Sequence, residues 1–256
     1  MKAGIIGLGV VGSAQSRLFG AFPQVAYDPR FHAKYPYQEL AGCDFAVIAV
    51  PTPPRLDGGA DLGYVHAAFA DLPPELPVVI RSTVPPGTTG SLARDWGAPV
   101  AFVPEFLYEG GTGPWAESGD VPWMVLGGDP GARAFFRPHL EKAFTGPIHE
   151  CDAVTAELVK YTANLHWAMR VTFVNELAGI CRVFGADWED VRAAWLCDDR
   201  VGPAHTEMAG FPPGFGGKCW PKDLSALIAA SEGQGHYPGF LRAIQAANTR
   251  FQGGEA

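Results

Sequence analysis

The sequence predicts an α/β protein, in which a doubly wound parallel sheet is followed by an all-helical part. Three observations predict this class. Short, continuously apolar runs alternate with helical stretches over residues 1–150, a pattern typical of parallel strands covered on both faces. A glycine-rich turn follows the first apolar run. From residue 153 the sequence is free of proline over a long, mainly apolar segment, which indicates a long buried helix.

The apolar runs define the predicted strands and the predicted domain boundary. We expect a helix at Ser13–Phe19 and strands at Ala3–Ile6, Gln24–Tyr27, Phe45–Val50, Val78–Arg81, Val100–Val103 and Met124–Leu126. The boundary is predicted near residue 150, so that residues 1–150 form the sheet domain and residues 151–256 form the helical domain.

Helices dominate the second predicted domain. A loop rich in Gly and Pro covers Val201–Gly217, and helices are expected at Ala153–Gly185, Trp188–Leu196, Asp223–Ala230 and Phe240–Phe251. The first of these helices is apolar on nearly every side, so it must be buried in a bundle or at a subunit interface. We therefore expect the chain to form a homodimer through its helical domain.

Charge and composition exclude several classes of protein. The 256 residues carry a formal net charge of −8 and no Lys/Arg-rich run, which excludes a nucleic-acid partner. No apolar run approaches the ~18 residues of a membrane span, and glycines interrupt the apolar N-terminus, which argues against a signal peptide. The five cysteines are widely spaced without a CxxC pair. They predict reduced thiols in a cytoplasmic protein without a metal site.

A glycine motif carries the first chemical signal. The segment GLGVVG at residues 7–12 follows a predicted strand and opens a helix, and Asp28 ends the next strand about 20 residues later. The glycines permit a tight turn and the approach of a pyrophosphate, and the acid binds a ribose 2′-OH. The set predicts a Rossmann-type sheet with an NAD site made of Gly7, Gly9, Val10, Val11, Gly12 and Asp28. Arg30 is added to this set, and its position keeps NADP open as an alternative.

Further polar residues follow the other predicted strands. Ligands of open sheets bind beyond the carboxyl ends of strands, so we predict that the next two strand ends also face the cofactor, through Val50, Pro51, Thr52, Ser82 and Thr83. The segment after the fifth strand places the carboxylates of Glu105 and Glu109 four residues apart. Strand-terminating turns and helix-capping acids are the alternative interpretations of these segments.

Two groups in the helical part indicate chemistry. Lys160 and Asn164 are neighbours on one helix face. Burial of a lysine in an apolar helix costs free energy unless the lysine has a partner or a function. A lysine that snorkels at the helix start is the alternative. In Gly214–Asp223 a glycine loop presents Cys219 beside two lysines at a helix start. Positive charge and the helix dipole favour its thiolate, so we predict a nucleophile.

Taken in chain order, these motifs resemble one family. The set comprises GLGVVG, AVPTPP, RSTVPPGTT, PEFLYEG, ELVKYTAN, RVG…H and GFGGKCWPKD. It is similar to the motifs of the UDP-glucose/GDP-mannose dehydrogenases, from residue 4 to about residue 250, and the last motif is highly specific. The resemblance implies an NAD-dependent enzyme that oxidises a primary alcohol of a sugar to the carboxylate in two successive steps.

The resemblance also implies a role for each candidate residue. Cys219 is expected to trap an aldehyde as a thiohemiacetal, which the second oxidation converts to a thioester. The resemblance assigns oxyanion stabilisation to Lys160 and Asn164, and orientation of a water to Asp223 and Thr83. Glu105 is expected to assist thioester hydrolysis. The implied substrate-binding set is Glu105, Phe106, Leu107, Glu109, Lys160, Asn164, Arg200, His205, Phe215, Gly216 and Cys219.

The family pattern leaves the substrate and two alternative functions open. Full-length members continue into a second Rossmann-like domain that binds much of the nucleotide, and we expect this chain to be a short form that lacks it. The expected substrate is therefore a sugar or a molecule similar to a nucleotide sugar. A two-electron 3-hydroxyacid-type dehydrogenase also places Lys and Asn four residues apart, although it has no use for a nucleophilic Cys219. A non-catalytic NAD-binding subunit is the second alternative.

Overall fold

Two compact units make up the chain. A computed structural model of the protein describes residues 1–107, 121–208 and 212–253. The first unit comprises Met1–Arg55 and Ala60–Lys160, and the second comprises Leu56–Gly59 and Tyr161–Ala256. The division therefore falls ten residues beyond the predicted boundary near residue 150, and the short insert of the second unit had no signal in the sequence.

A seven-stranded sheet forms the centre of the first unit, as far as the described ranges go. Its strands are β1 (Ala3–Ile6), β2 (Gln24–Tyr27), β3 (Phe45–Ile48), β4 (Val78–Ile80), β5 (Val100–Phe102), β6 (Met124–Gly127) and β7 (Ile148–Cys151). They follow the order β2-β1-β3-β4-β5-β6-β7, and β1 to β5 are parallel. Strand β6 runs antiparallel to β5, and β7 is parallel to β6. The predicted α/β class is confirmed, with one antiparallel pairing in a mainly parallel sheet.

Helices cover both faces of this sheet. They are α1 (Val10–Leu18), α2 (Tyr37–Ala41), α3 (Gly63–Asp71), α4 (Thr88–Trp96) and α5 (Pro130–Leu140). Successive residues of a strand point to opposite faces. Phe45 accordingly belongs to the same apolar cluster as Phe136 of α5, whereas Ile48 belongs to the cluster of Phe69 of α3. Both faces are thus buried, as continuously apolar strands require.

The long helix α6 (Ala153–Val183) contributes residues to both units. In the first unit, the buried Glu157 carboxylate accepts hydrogen bonds from the backbone N–H groups of Gly87 at 2.6 Å and Thr89 at 2.8 Å. Both N–H groups lie at the start of α4, where a helix has no internal acceptors. Burial raises the pKa of the Glu157 carboxyl, and these hydrogen bonds oppose the rise. Glu157 therefore ties α6 to α4.

The second unit is helical. Besides the later turns of α6, it contains α7 (Trp188–Trp195), α8 (Trp220–Gly233) and α9 (Gly239–Phe251). One apolar cluster joins Leu165 of α6 to Leu224 of α8 and Ile244 of α9. A second cluster packs Val174 of α6 against Trp188 of α7. The helix α6 is thus the common element of both clusters.

Part of α6 is apolar and exposed. The side chains of Phe173, Ile180 and the adjoining Phe184 are 49%, 44% and 83% exposed. Their spacing of seven and then four residues places them on one face of the helix. We call these three residues the apolar stripe. It is one part of the predicted all-round apolar helix that packing within the described chain leaves uncovered, and Val154, Leu158 and Val183 are exposed as well.

Several elements differ from the sequence prediction. Helix α8 begins at Trp220 and not at Asp223, because Pro221 fits the first turn, where no backbone N–H is needed. Strand β7 was not predicted because the exposed His149 and Glu150 interrupt its apolar run at the edge of the sheet. Helix α1 begins at Val10, inside the glycine motif, and not at Ser13.

We expect Glu157→Ala to lower the free energy of unfolding by about 1–3 kcal/mol, because two backbone N–H groups lose their acceptor. Glu157→Gln keeps one amide oxygen and is expected to lose less. Urea unfolding followed by circular dichroism measures both variants. Glu176→Ala, at an exposed position of the same helix, is the matched control. An unchanged free energy of unfolding in Glu157→Ala would show that the carboxylate does not support α4.

Candidate active site

The turn between β1 and α1 leaves no space for side chains at two of its glycines. Gly7 has a φ of +89°, and a Cβ built there lies 2.5 Å from the backbone oxygen of Ala49. A Cβ on Gly12 lies 1.8 Å from the backbone oxygen of Gly7. Around Gly9, the N-cap of α1, no described atom lies within 4 Å of such a Cβ. The N-terminus of α1, with Val10 and Val11, is therefore open to a phosphate group.

The Asp28 carboxylate is buried at the end of β2 and held by several donors. The backbone N–H of Leu8 donates to Oδ2 at 2.8 Å, and the backbone N–H of Arg30 donates to Oδ1 at 3.0 Å. The Arg30 guanidinium adds two hydrogen bonds, of 2.9 Å to Oδ1 and 2.6 Å to Oδ2. The hydrogen bond from Arg30 holds the pKa of Asp28 well below its usual range, although burial opposes the shift. A fixed anion thus stands where a ribose is expected.

Hydroxyl groups join the loops that follow β3 and β4. Thr52 Oγ1 donates to the backbone oxygen of Thr83 at 2.8 Å, and Ser82 Oγ donates to that of Val50 at 2.7 Å. Thr52 and Ser82 are both buried. The structure therefore brings together the predicted cofactor residues of the two loops, which are Val50, Pro51, Thr52, Ser82 and Thr83.

A buried polar cluster lies beyond the ends of β4 and β5. Arg81 Nη2 donates to Glu105 Oε2 at 2.8 Å. The backbone N–H of Leu107 donates to Oε1 of the same carboxylate at 2.6 Å, and Gln15 Nε2 donates to Oε2 at 3.4 Å. Glu105 and Leu107 were predicted site residues, whereas Arg81 and Gln15 were not. The signal for Arg81 was a charged residue at the end of an apolar strand.

Lys160 contacts the same cluster through its ammonium group. Lys160 Nζ donates to the backbone oxygen of Glu105 and lies 5.6 Å from the ring centre of Phe106. The side chain is 9% exposed, so the alternative of a lysine that snorkels to solvent is wrong. The structure thus brings Glu105, Phe106 and Lys160 together in the first unit.

In the second unit, Cys219 is the N-cap of α8 and is exposed. One turn later, the backbone N–H of Asp223 donates to the backbone oxygen of Cys219 at 2.8 Å. The Asp223 carboxylate is 1% exposed and accepts from Asn164 Nδ2 at 2.6 Å and from Lys222 Nζ at 2.5 Å. Three residues predicted from the family motifs, Cys219, Asp223 and Asn164, are thus close together.

The glycine loop before Cys219 is anchored by two asparagines. Asn248 of α9 accepts from the backbone N–H of Phe215 at 2.7 Å and donates to the Phe215 oxygen at 2.9 Å. Asn175 of α6 accepts from the N–H of Gly214 at 3.0 Å. The ring of Phe215 is buried in the apolar cluster of α6, α8 and α9, while Gly216 is exposed. Substrate contacts of Phe215 and Gly216 stay predictions.

Two further predicted substrate residues, Arg200 and His205, lie on loops. Arg200 is 87% exposed and forms an ion pair of 2.6 Å with Asp198. His205 has a φ of +57°, and its ring centre lies 5.0 Å from that of Trp167 and 5.1 Å from that of Trp220. Burial lowers the pKa of His205, and the charge of Arg170 adds to this shift. The remaining residue, Glu109, lies outside the described residues.

Neither a metal-binding cluster nor a membrane-spanning helix occurs in the described ranges. These ranges hold no group of three or more His, Cys, Asp or Glu side chains that could bind a metal ion. The five cysteines, all within these ranges, form no disulfide with one another. Among the described helices, none has the length and apolar character that crossing a bilayer requires.

Two family models match the chain. Residues 23–130 match the NAD binding domain of the UDP-glucose/GDP-mannose dehydrogenase family, and residues 154–250 match its central domain. UDP-glucose 6-dehydrogenase AglM of Haloferax volcanii is 35% identical over 244 residues, which cover 86% of this chain and 55% of that protein. A UDP-glucose 6-dehydrogenase of Pseudomonas aeruginosa is 37% identical over 236 residues, which cover 82% of this chain and 49% of that protein. The chain spans about half the length of these relatives.

A solved structure agrees with the sequence matches. The structure of a UDP-glucose dehydrogenase from the archaeon Pyrobaculum islandicum superposes with a TM-score of 0.79 at 28% identity. The superposition covers 98% of this chain and 68% of that one. The resemblance drawn from the motifs is confirmed, because both family models match in the expected order. The chain belongs to the UDP-glucose/GDP-mannose dehydrogenase family and contains its NAD-binding and central domains.

Proposed function

We propose that this protein oxidises the primary alcohol of a sugar, or of a molecule similar to a nucleotide sugar, to the carboxylate. The reaction takes two successive NAD-dependent oxidations on one substrate. The observation that carries the proposal is Cys219, an exposed thiol at the start of α8 and one turn from the buried Asp223. The names of the relatives, which are UDP-glucose 6-dehydrogenases, favour the same activity.

The first unit supplies the proposed cofactor site. The backbone at Gly7 and Gly12 excludes side chains, and Asp28 holds a fixed negative charge, so these residues fit a dinucleotide whose ribose keeps its 2′-OH. When bound, NAD supplies the hydride acceptor for each oxidation. The proposed contacts are Gly7, Gly9, Val10, Val11, Gly12, Asp28, Arg30, Val50, Pro51, Thr52, Ser82 and Thr83.

Cys219 carries the proposed covalent chemistry. After the first oxidation, its sulfur adds to the aldehyde carbon, and the new C–S bond makes a thiohemiacetal. The second oxidation converts this adduct to a thioester, so the aldehyde is never released. Water then adds to the thioester carbonyl, the C–S bond breaks, and the product leaves as a carboxylate.

Other residues stabilise charge and direct protons in this proposal. Lys160 and Asn164 stabilise the oxyanion that develops on the substrate. Asp223, which Asn164 and Lys222 hold in place, acts with Thr83 to orient a water. Glu105 assists thioester hydrolysis. The proposed substrate contacts are Glu105, Phe106, Leu107, Glu109, Lys160, Asn164, Arg200, His205, Phe215, Gly216 and Cys219.

We propose that residues 1–150 function as the NAD-binding domain and residues 151–256 as the helical domain that carries the nucleophile. The proposed location is the cytoplasm, which the widely spaced cysteines without a CxxC pair favour, because reducing compartments keep cysteines reduced. The 3-hydroxyacid-type dehydrogenase and the non-catalytic subunit remain the alternatives. The number of NADH molecules released per substrate distinguishes all three, because they release two, one and none.

The first functional prediction concerns Cys219. The parent protein, screened with nucleotide sugars and free sugars, is expected to release two NADH per carboxylate formed. We expect Cys219→Ser to lower carboxylate formation by about 1,000-fold or more, because it loses the thiolate nucleophile. Spectrophotometry at 340 nm and mass analysis of the product measure both quantities. Cys197→Ser, which also removes an exposed cysteine, is the matched control. Full two-step activity in Cys219→Ser would exclude the covalent route.

The second functional prediction concerns the cofactor. We expect the parent to bind NAD more tightly than NADP. Asp28→Ala is expected to lower the ratio of the NAD affinity to the NADP affinity by about tenfold or more, because it removes a charged acceptor for the ribose. Asp28→Asn removes the charge but keeps an acceptor for the backbone N–H of Leu8, so it separates the effect of the charge from the effect of a disturbed turn. Titration calorimetry measures the affinities, with the exposed Asp95→Ala as control. Tighter binding of NADP by the parent would overturn the assignment.

We further propose that the chain forms a homodimer through α6. The apolar stripe supports this, because Phe173, Ile180 and Phe184 expose apolar surface along one helix face. A second copy of the same helix presents a matching surface, and a two-fold interface is self-complementary.

Sedimentation velocity at micromolar concentration is expected to show a dimer for the parent. We expect Ile180→Glu to weaken the dimer at least about tenfold, because a carboxylate then enters an apolar contact. Phe240→Glu, at an exposed position of α9, is the matched control and is expected to leave the dimer intact. A monomeric parent would contradict the proposal.

A further inference from the structure

We infer that Arg81 is a positioning residue for the hydrolytic step. Its guanidinium holds the Glu105 carboxylate in the one orientation that the hydrolytic step requires. The inference rests on the proposed function, which assigns Glu105 to that step. Its support comes from the burial of the ion pair, from the donors around Glu105 and from the position of Arg81 on the sheet.

The ion pair is poorly explained as a source of stability. The side chains of Arg81 and Glu105 are 5% and 6% exposed. Buried charges lose their hydration, and mutual attraction offsets that loss only when every polar atom is also satisfied. Arg81 Nη1 donates to the backbone oxygen of Pro104 at 3.3 Å, but its Nε finds no hydrogen-bond partner within the described structure. A pair of apolar side chains would suit this core better, so a role in the site is the stronger explanation.

The donors around Glu105 fix its rotamer. Arg81 and Gln15 donate to Oε2, while the backbone N–H of Leu107 donates to Oε1. Lys160 holds the backbone oxygen of the same residue. A carboxylate held by donors on both oxygens cannot rotate without losing hydrogen bonds. Such fixation is what a group that directs an attacking water requires.

Arg81 is itself attached to the most rigid part of the first unit. It directly follows β4, and its backbone N–H donates to the oxygen of Ile48 in β3 at 2.8 Å. Glu105 lies three residues beyond β5, the parallel neighbour of β4. The backbone of Arg81 is thus fixed by β3 and β4, so its side chain gives a loop carboxylate a rigid partner.

Arg81 keeps its positive charge in spite of its burial. Arg81 and Lys160 are two charged groups that contact Glu105, and Phe106, Trp123 and Met124 also line the cluster. Burial lowers the pKa of the Arg81 guanidinium, and the charge of Glu105 opposes the shift. A guanidinium nevertheless keeps its proton in proteins. Arg81 therefore acts through the orientation of Glu105 and exchanges no proton itself.

The step that depends on the orientation of Glu105 is the attack of water on the thioester. The water oxygen bonds to the thioester carbonyl carbon, and the C–S bond breaks with its electron pair on the Cys219 sulfur. Glu105 accepts one proton of the water, and the second proton passes to solvent as the product ionises. Both oxidations precede this step, and the proposed function assigns Glu105 no proton transfer in them. Loss of Arg81 is therefore expected to slow hydrolysis far more than either oxidation.

Rapid-quench kinetics test the inference with this chain, NAD and the compound that gives the fastest NADH release in the screen of nucleotide sugars and free sugars. We expect Arg81→Met to release two NADH in the first turnover at near the parent rate, and then to form carboxylate at least about tenfold more slowly. The thioester on Cys219 is expected to accumulate, which intact-protein mass spectrometry detects. Hydroxylamine, which cleaves thioesters, is expected to restore turnover. Arg81→Lys keeps the charge and is expected to recover part of the rate, and the exposed Arg94→Met is the matched control.

The outcomes separate the inference from the proposed function. A parent that releases one NADH or none overturns the proposed function and this inference with it. A parent that releases two NADH, beside an Arg81→Met variant without thioester accumulation, overturns the inference alone. Should Arg81→Met fail to fold, Arg81→Gln is compared with Arg81→Lys. Accumulation in the Gln variant with recovery in the Lys variant supports the inference, and equal rates in both variants overturn it.

Discussion

The parallel pairing of β1, β3, β4 and β5 determines where the polar groups of the first unit lie. Parallel strands end at the same edge of the sheet, so the residues that follow each strand are neighbours although they are far apart in sequence. The hydroxyl bonds between Thr52 and Thr83 and between Ser82 and Val50 depend on this register, as does the pair of Arg81 with Glu105. Because β6 runs in the opposite direction, the shared edge ends at β5.

Charges inside both units are compensated by specific donors. The chain carries a net charge of −8, and each of the following buried carboxylates is stabilised by its own hydrogen-bond donors. Glu157 accepts from the start of a helix, Asp28 from a turn and a guanidinium, and Asp223 from an amide and an ammonium. Each carboxylate also connects two segments that are separated in sequence. The hydrogen bonds that compensate a buried charge therefore also fix the position of the segments around it.

Local patterns could be predicted from the sequence, whereas long-range partners could not. The bounds of β1 and β2 and the place of Asp28 followed from apolar runs and turn residues, which act over a few positions. Cys219 at a helix start followed in the same way. The reversal of β6 and the partners of Glu105 depend on which strands become neighbours, and no spacing encodes that. Phe215 illustrates the limit, because Asn248 of α9, 33 residues later, holds the backbone of the loop that contains its buried ring.

The insert Leu56–Gly59 has a consequence for how the chain folds as it is made. These four residues belong to the second unit, where a Cβ built on Gly58 lies 2.6 Å from Ser225 Oγ of α8. Residues 60–160 separate the insert from the rest of that unit. During synthesis the insert leaves the ribosome long before α8 exists, so the helical unit reaches its complete packing only after α8 has been made. Such non-local closure is slow compared with local helix formation. A fragment that begins at Tyr161 carries every helix turn of the unit but not its full set of contacts.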